Sequence, residues 1–249
     1  MIPKIIHYCW FGGKPLTEKI LKNIESWKKY CPDYQIIQWN ESNFDVKKYK
    51  FAFEAYEVGQ WAFVSDVARL DIIYNYGGFY LDTDVELLKS LDYFIDNKVF
   101  FAREDRFTIN TGIGFGAEMK NQFVLENLSM YKNKHFINGD GSFNRILCVD
   151  ITTHLLSLIG IRPSSKIETS KKIKVYPREY FCPVRIGSGR TVITNRTFSI
   201  HHYDASWKDG SGCTSNWLVP IKKVAKFYVD SLFGFGTYNN LKSYVIHKK

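Results

Sequence analysis

Residues 61–90 read Trp-Ala-Phe-Val-Ser-Asp-Val-Ala-Arg-Leu-Asp-Ile-Ile-Tyr-Asn-Tyr-Gly-Gly-Phe-Tyr-Leu-Asp-Thr-Asp-Val-Glu-Leu-Leu-Lys-Ser. Apolar side chains at Phe63, Val67, Leu70 and Tyr74, with Val64, Ala68 and Ile72 between them, keep the 3.6-residue spacing of a helix. Gly77-Gly78 supplies its stop, because glycine takes a left-handed C-terminal conformation without steric cost. Phe79-Tyr80-Leu81 is then apolar and too short for another helix, so it reads as a buried strand. Asp82 and Asp84 follow it at i and i+2, and on a continuing strand both carboxylates would face one way. Paired carboxylates repel and lose hydration unless a cation lies between them. Asp82-Thr83-Asp84 is therefore a candidate metal site.

Working outward, Pro3 to Trp10 reads as a first buried strand closed by Phe11-Gly12-Gly13. His7 inside it reads as a core histidine. Residues 17–30 predict a helix capped by Thr17, with Ile20, Leu21, Ile24 and Trp27 on its inner face. Tyr34 to Trp39 alternates as a second strand, which completes the opening βαβ of a parallel sheet. Residues 46–60 read as a polar connection. Downstream, Leu91–Phe94 reads as a short helix and Val99–Ala102 as a strand. The glycines of Ile109 to Ala117 let backbone approach another group closely. Helices are expected over 118–133 and 142–159. Tyr176 to Val184 reads as an edge strand because of its prolines.

A chain of 249 residues with 45% hydrophobic content fits one domain with a small appendage. The net charge of +9 favours anionic partners such as nucleotides or phospholipid headgroups. Cys9, Cys31, Cys148, Cys182 and Cys213 show neither a disulfide framework nor zinc spacing. No apolar run reaches the ~20 residues that span a bilayer, and no leader is visible before the first strand. The expectation is a soluble protein of a reducing, cytoplasmic compartment.

Ser65-Asp66-x-x-Arg69, then Tyr76-Gly77-Gly78-x-Tyr80-Leu81-Asp82-x-Asp84, resembles the signature of family 32 glycosyltransferases. These enzymes have a sugar-binding region containing a DXD motif and are related to the clostridial glucosylating toxins. Ile2-Pro3-Lys4-Ile5-Ile6-His7 followed by Trp10 resembles the family's opening, and His201-His202-x-x-x-Ser206-Trp207 its close. The resemblance implies a GT-A type, Rossmann-like α/β/α sandwich with a mostly parallel central sheet. That domain is expected over residues 1–210, with a basic, helical, membrane-facing tail over 211–249.

For the site, the resemblance implies that Trp10 lies against the nucleotide base and that Asn110 meets the donor sugar. Asp82 and Asp84 hold Mn2+ or Mg2+, with His201 or His202 on the metal or diphosphate and Ser206 in the metal shell. Trp207 meets the leaving diphosphate. Asp66 accepts from sugar hydroxyls, Arg69 adds a cation near the same oxygens, and Ser65 and Tyr80 complete the donor-binding motif. The implied reaction is retaining hexosyl transfer from a nucleotide sugar, expected to be UDP-linked glucose or galactose. The expected acceptor is a saccharide on a polyprenyl diphosphate lipid, in synthesis of capsule or another surface polysaccharide; no nucleic acid is expected as partner. Between 176 and 184, Tyr-Pro and Phe-x-Pro also match the family, whereas Asp150-Ile151-Thr152-Thr153 stands where it usually shows Thr-Gly-Pro.

Two rivals compete. Phe79 to Val85 also satisfies the apolar-strand-then-DxDx[TV] opening of haloacid-dehalogenase-type phosphatases, in which Asp82 would be the nucleophile. A non-enzymic carbohydrate- or membrane-binding protein is the other. In the tail, Ile221, Val224, Ala225, Tyr228, Val229 and Leu232 form an apolar stripe with Lys222, Lys223 and Lys226 opposite. It fits either packing on the domain or lying on an anionic membrane, the inner face for a cytoplasmic enzyme.

Overall fold

The computed structural model describes residues 1–184, 190–204 and 219–246, with the side chains of 219–221 and 242–246 outside the description. The chain opens with β1 (Ile5–Cys9), α1 (Glu18–Tyr30) and β2 (Gln35–Trp39). Thr17 caps α1, its side chain accepting from Ile20 N at 3.3 Å. Asn23, not Leu21, joins Ile20, Ile24 and Trp27 on the inner face, and Leu21 is 45% exposed. Residues 46–60 are not a plain connection. They hold a 3-10 turn and α2 (Lys50–Glu57), which buries Phe51, Ala52 and Ala55. With only two turns and lysine and glutamate at its ends, α2 shows too little periodicity to read from sequence.

Next come α3 (Trp61–Tyr76) and β3 (Gly78–Tyr80). Gly77 and Gly78 have φ of 66° and 98°, the region that disfavours a side chain. A Cβ on Gly78 would also lie 2.7 Å from the Ile5 carbonyl of β1. The diglycine both ends the helix and lets β3 close on β1. The Asp82-Thr83-Asp84 segment does not continue the strand as expected. It is a turn, closed by Val85 N donating to Asp82 O at 3.0 Å, before β4 (Val85–Leu87).

The chain continues through β5 (Val99–Arg103), β6 (Ile109–Asn110), β7 (Phe115–Ala117), α4 (Gln122–Ser129) and α5 (Cys148–Leu158). It then forms β8 (Glu168–Ser170), β9 (Ile173–Tyr176), β10 (Ser199–His201), α6 (Val219–Phe233) and α7 (Thr237–Ile246). Both α4 and α5 are shorter than expected. The strand expected over Tyr176–Val184 instead ends at Tyr176 and gives way to a 3-10 turn at Arg178–Tyr180. β9 is an inner strand, because β8, in a stretch not assigned from sequence, covers its edge.

The main sheet runs β2-β1-β3-β7-β5-β9-β8, with β6 paired to β5. β1, β2, β3, β5 and β9 share one direction, and β6, β7 and β8 oppose it. The sheet is thus mostly parallel in direction, with β7 inserted against the grain between β3 and β5. Side chains alternate across it. Tyr80 and Phe101 enter the core under α2, α3, α4 and α5, while Phe79 and Phe100 enter a second core under α1. β4 and β10 form a separate antiparallel ribbon on that second side, with His201 opposite Val85.

His7 is a core residue, as expected. Trp39 Nε1 donates to its Nδ1 at 3.0 Å, so the proton sits on Nε2, which meets Gly77 O at 3.0 Å. Burial pulls its pKa down to about 4. Cys9, Cys31, Cys148 and Cys182 are free and buried. Among the described residues, no helix is long and apolar enough to cross a membrane.

Candidate functional site

The carboxyl ends of parallel strands in an open α/β sheet are where ligands bind, and the charged groups of this chain gather there. The β4–β10 pairing brings His201 beside the turn that follows β3. His201 Nε2 lies 3.1 Å from Asp84 Oδ1, and one ligand atom from each of Asp82, Asp84 and His201 fits within a 4.8 Å span. Because strand residues alternate, His202 points elsewhere, to Glu86 Oε2 at 2.9 Å. Register against β4 thus decides between the two histidines, and it selects His201.

Beneath this group lies Arg69 on α3. Its Nη2 is 3.2 Å from Asp66 Oδ1 and 3.2 Å from Asp82 Oδ1, and its Nε donates to Ser65 O at 3.1 Å. Asp66 and Arg69 do pair along the helix, but the guanidinium also ties the helix to the turn. Burial works against its charge, yet Asp82, ahead of Asp66, holds it protonated well above the usual value. Tyr80 is fully buried, with the guanidinium 4.8 Å from its ring centre, so it is the floor beneath Arg69. Burial raises the Asp66 carboxyl while Arg69 opposes the rise.

Burial also opposes the charge on Asp84, but hydrogen bonds from His201 and from Asp204 N, the latter at 3.1 Å, keep its pKa low. For His201, burial alone would lower the pKa, and Asp84 overrides it to raise it. Asp84 and His201 thus each favour the other's charged form. The three residues fit a divalent cation. Two carboxylates and one imidazole are the oxygen–nitrogen set that Mn2+ or Mg2+ accepts. Metal binding would take the place of the proton on the imidazole. Among the described residues, His201 Nδ1 is buried without a hydrogen-bond partner, and its Nε2 is anchored on Asp84.

Trp10 follows β1 directly at the same edge. It is half-buried, its backbone N donates to Trp39 O, and its indole donates to Lys14 O at 2.6 Å. Asn110 on β6 accepts from Gly112 N at 2.7 Å through its side chain. Ser65 is half-buried and meets Arg69 through its backbone carbonyl. Asp66, Arg69, Asp82, Asp84 and His201 thus form one connected group, and His202 stands outside it. Ser206 and Trp207 lie outside the described residues.

Four contributors were not placed here from sequence. Gly112 presses on the aspartate turn: its carbonyl accepts from Asp82 N at 2.9 Å, and a Cβ there would lie 2.0 Å from Asp82 Oδ2. The glycine-rich run signalled a close approach, but the group approached is a carboxylate of the protein itself. Cys148, at the start of α5, accepts from Arg69 Nη1 through its Sγ at 3.9 Å and helps to hold down the pKa of Asp66 beside it. Tyr203 holds a left-handed φ of 55°, sets its ring edge-on to His201 at 4.3 Å, and meets Cys182 Sγ at 2.8 Å. Glu104, just past β5, acts electrostatically on both Tyr203 and His201. No local pattern marks Cys148, Tyr203 or Glu104.

Residues 17–101 match the family model described as glycosyltransferase sugar-binding region containing DXD motif. Inositol phosphoceramide mannosyltransferase 1 of Schizosaccharomyces pombe is 26% identical over 147 residues, covering 54% of this chain and 45% of that protein. Inositol phosphoceramide mannosyltransferase 2 of the same yeast is 30% identical over 126 residues, covering 45% of this chain and 34% of that protein. The chain therefore matches less than half the length of these curated relatives. Among solved structures, PaToxG glycosyltransferase superposes with a TM-score of 0.50 at 20% identity, over 63% of this chain and 69% of that one. The GT-A sandwich expected from sequence is the fold of this chain.

Proposed function

From a chain whose residues 17–101 carry the DXD sugar-binding region of a glycosyltransferase family, we propose a metal-dependent, retaining hexosyltransferase that uses a nucleotide sugar. The observation that supports it most is the convergence of Asp82, Asp84 and His201 above the buried Arg69. When bound there, Mn2+ or Mg2+ would neutralise the charge that develops on a departing diphosphate. Arg69 orients Asp82 from below and adds positive charge, and Asp66 accepts from sugar hydroxyls. Trp10, half-buried just after β1, stacks on the base in this reading, and Asn110, which holds Gly112 N, meets the donor sugar.

In the proposed transfer, the bond between the anomeric carbon and the phosphate oxygen breaks, and an acceptor oxygen attacks the same face. The acceptor's proton passes to the departing phosphate, so configuration is retained. The donor class includes UDP-glucose and UDP-galactose, and the names of the curated relatives add a mannosyl donor. The same names concern a lipid acceptor, which agrees with a lipid-linked saccharide as acceptor.

Membrane contact is part of this proposal, through the apolar side of α6 read in the sequence but without the headgroup contacts of Lys223 and Lys226. Lys223 and Lys226 turn inward to Asp105 and Asp150, whereas Leu232 and Phe233 are 74% and 73% exposed. The apolar side of α6 is the face offered to a bilayer at the cytoplasmic surface, with insertion rather than charge as the main attraction. The side chain of Ile221 lies outside the described residues. Liposome sedimentation tests this reading. Leu232→Glu with Phe233→Glu should abolish pelleting, and a wild type that stays in the supernatant refutes membrane contact.

The activity is tested by a panel of nucleotide sugars assayed for Mn2+-dependent release of nucleoside diphosphate, with product NMR for the anomer. Release of inorganic phosphate from a phosphomonoester would favour the phosphatase reading through Asp82. Binding of sugar without turnover would favour the non-enzymic one.

A further inference from the structure

α6 lies far beyond the matched region in sequence, yet it reaches two elements that build the site. Lys223 and Lys226 are i and i+3, hence on one helical face, and the buried Asp230 completes that face. Lys226 Nζ lies 2.5 Å from Asp150 Oδ2, and Lys223 Nζ pairs with Asp105 Oδ2. All four side chains are at most a quarter exposed, so these pairs are less screened than surface ones.

Each acid carries a piece of the site. Asp150 is in the first turn of α5, two residues from Cys148, whose Sγ accepts from Arg69 Nη1 at 3.9 Å beside Asp66. Asp105 shapes the loop between β5 and β6, where its Oδ1 accepts from Phe107 N at 2.7 Å and Thr108 N at 2.9 Å. That loop joins Glu104, whose charge acts on Tyr203 and His201, to Asn110, whose side chain holds Gly112 N. Ile109 N also donates to Thr153 on α5 at 2.9 Å, so loop and helix are already joined beneath α6.

We propose that Lys223 and Lys226 are positioning residues: α6 clasps the start of α5 and the β5–β6 loop, and thereby sets Asp66 and Gly112 against Arg69 and Asp82. Removing either cation leaves a partly buried carboxylate without its partner, and the element that carries it shifts outward. The clasp acts on the sugar side of the site and leaves the nucleoside diphosphate contacts in place. It rests on the glycosyltransferase reading only for its effect on turnover.

The test compares Lys226→Met and Lys223→Met with Lys226→Arg and Lys223→Arg, in the full chain. Two readouts are taken: the rate at which a thiol reagent modifies Cys148, followed by peptide mass spectrometry, and kcat alongside the affinity for Mn2+ with nucleoside diphosphate. The methionine variants should lower kcat about 10- to 100-fold, the loss typical of a misplacement near 1 Å, with diphosphate affinity unchanged. In Lys226→Met, Cys148 should be modified faster, and the arginine variants should behave as wild type. Wild-type rates of Cys148 modification and wild-type kcat in the methionine variants would overturn the proposal. So would an equal loss of diphosphate affinity, because that marks a general structural role. If the wild type turns over no donor, the glycosyltransferase reading fails, while Cys148 modification still decides the clasp.

Discussion

Gly112→Ala should damage the site while leaving the fold in place. The φ of Gly112 is not in the left-handed region, so alanine can adopt its backbone, and the cost is steric. The added Cβ would lie 2.0 Å from Asp82 Oδ2 and 2.9 Å from Arg69 Nη1. Ordinary contact needs about 3.5 Å, so the carboxylate must retreat by about 1.5 Å. It has little room, because Asp82 N is tied to Gly112 O and its Oδ1 to Arg69 Nη2 at 3.2 Å. The carboxylate therefore swings out of the group with Asp84 and His201. Loss of an orienting contact at a metal site lowers affinity about 10- to 100-fold, and this change displaces a ligand itself, so the upper end is expected. Mn2+ binding followed by electron paramagnetic resonance gives the affinity, and thermal melting reports the fold. Unchanged Mn2+ affinity in a folded Gly112→Ala protein would refute the assignment of Asp82 as a ligand.

His201→Asn should abolish Mn2+-dependent turnover, whereas His202→Asn should keep most of it; the reverse order would overturn the register argument. Asp84→Ala should eliminate turnover with the fold intact, and retained activity in Mn2+ would remove this aspartate from the metal site. Trp10→Ala should weaken nucleoside diphosphate binding by about 1–3 kcal/mol if the ring stacks on the base; unaltered calorimetric affinity would limit the ring to packing. His7 gives a pH signature. Its folded pKa of about 4 lies below the ordinary histidine value of 6.5, so the unfolded chain takes up the proton first as pH falls. Stability should drop as pH goes from 6.5 towards 4, by on the order of 3 kcal/mol for that interval. Denaturant melts of His7→Gln should show a shallower fall across that range, and an identical slope would show that other groups carry it.

The helix, diglycine and short strand of residues 61–81 were legible because each depends on neighbours within four residues. Spacing, glycine conformation and chain stiffness act locally, and the same holds for Thr17 capping α1. Short elements with mixed signals, α2 and β8 among them, escaped because burial by remote segments stabilises them more than local pattern does. The site divides in the same way. That Asp82 and Asp84 form a pair able to hold a cation was readable from their spacing, although a turn rather than a strand brings them together.

Tertiary structure alone set His201, not His202, beside Asp84, since strand parity has meaning only once β10 is registered against β4. It alone placed Gly112 against Asp82, through β7 inserted beside β3, and turned Lys223 and Lys226 inward. A lysine reads as a solvated charge in sequence because water is its default partner. Only a fold that brings carboxylates more than seventy residues away in sequence into a partly buried position gives it a better one.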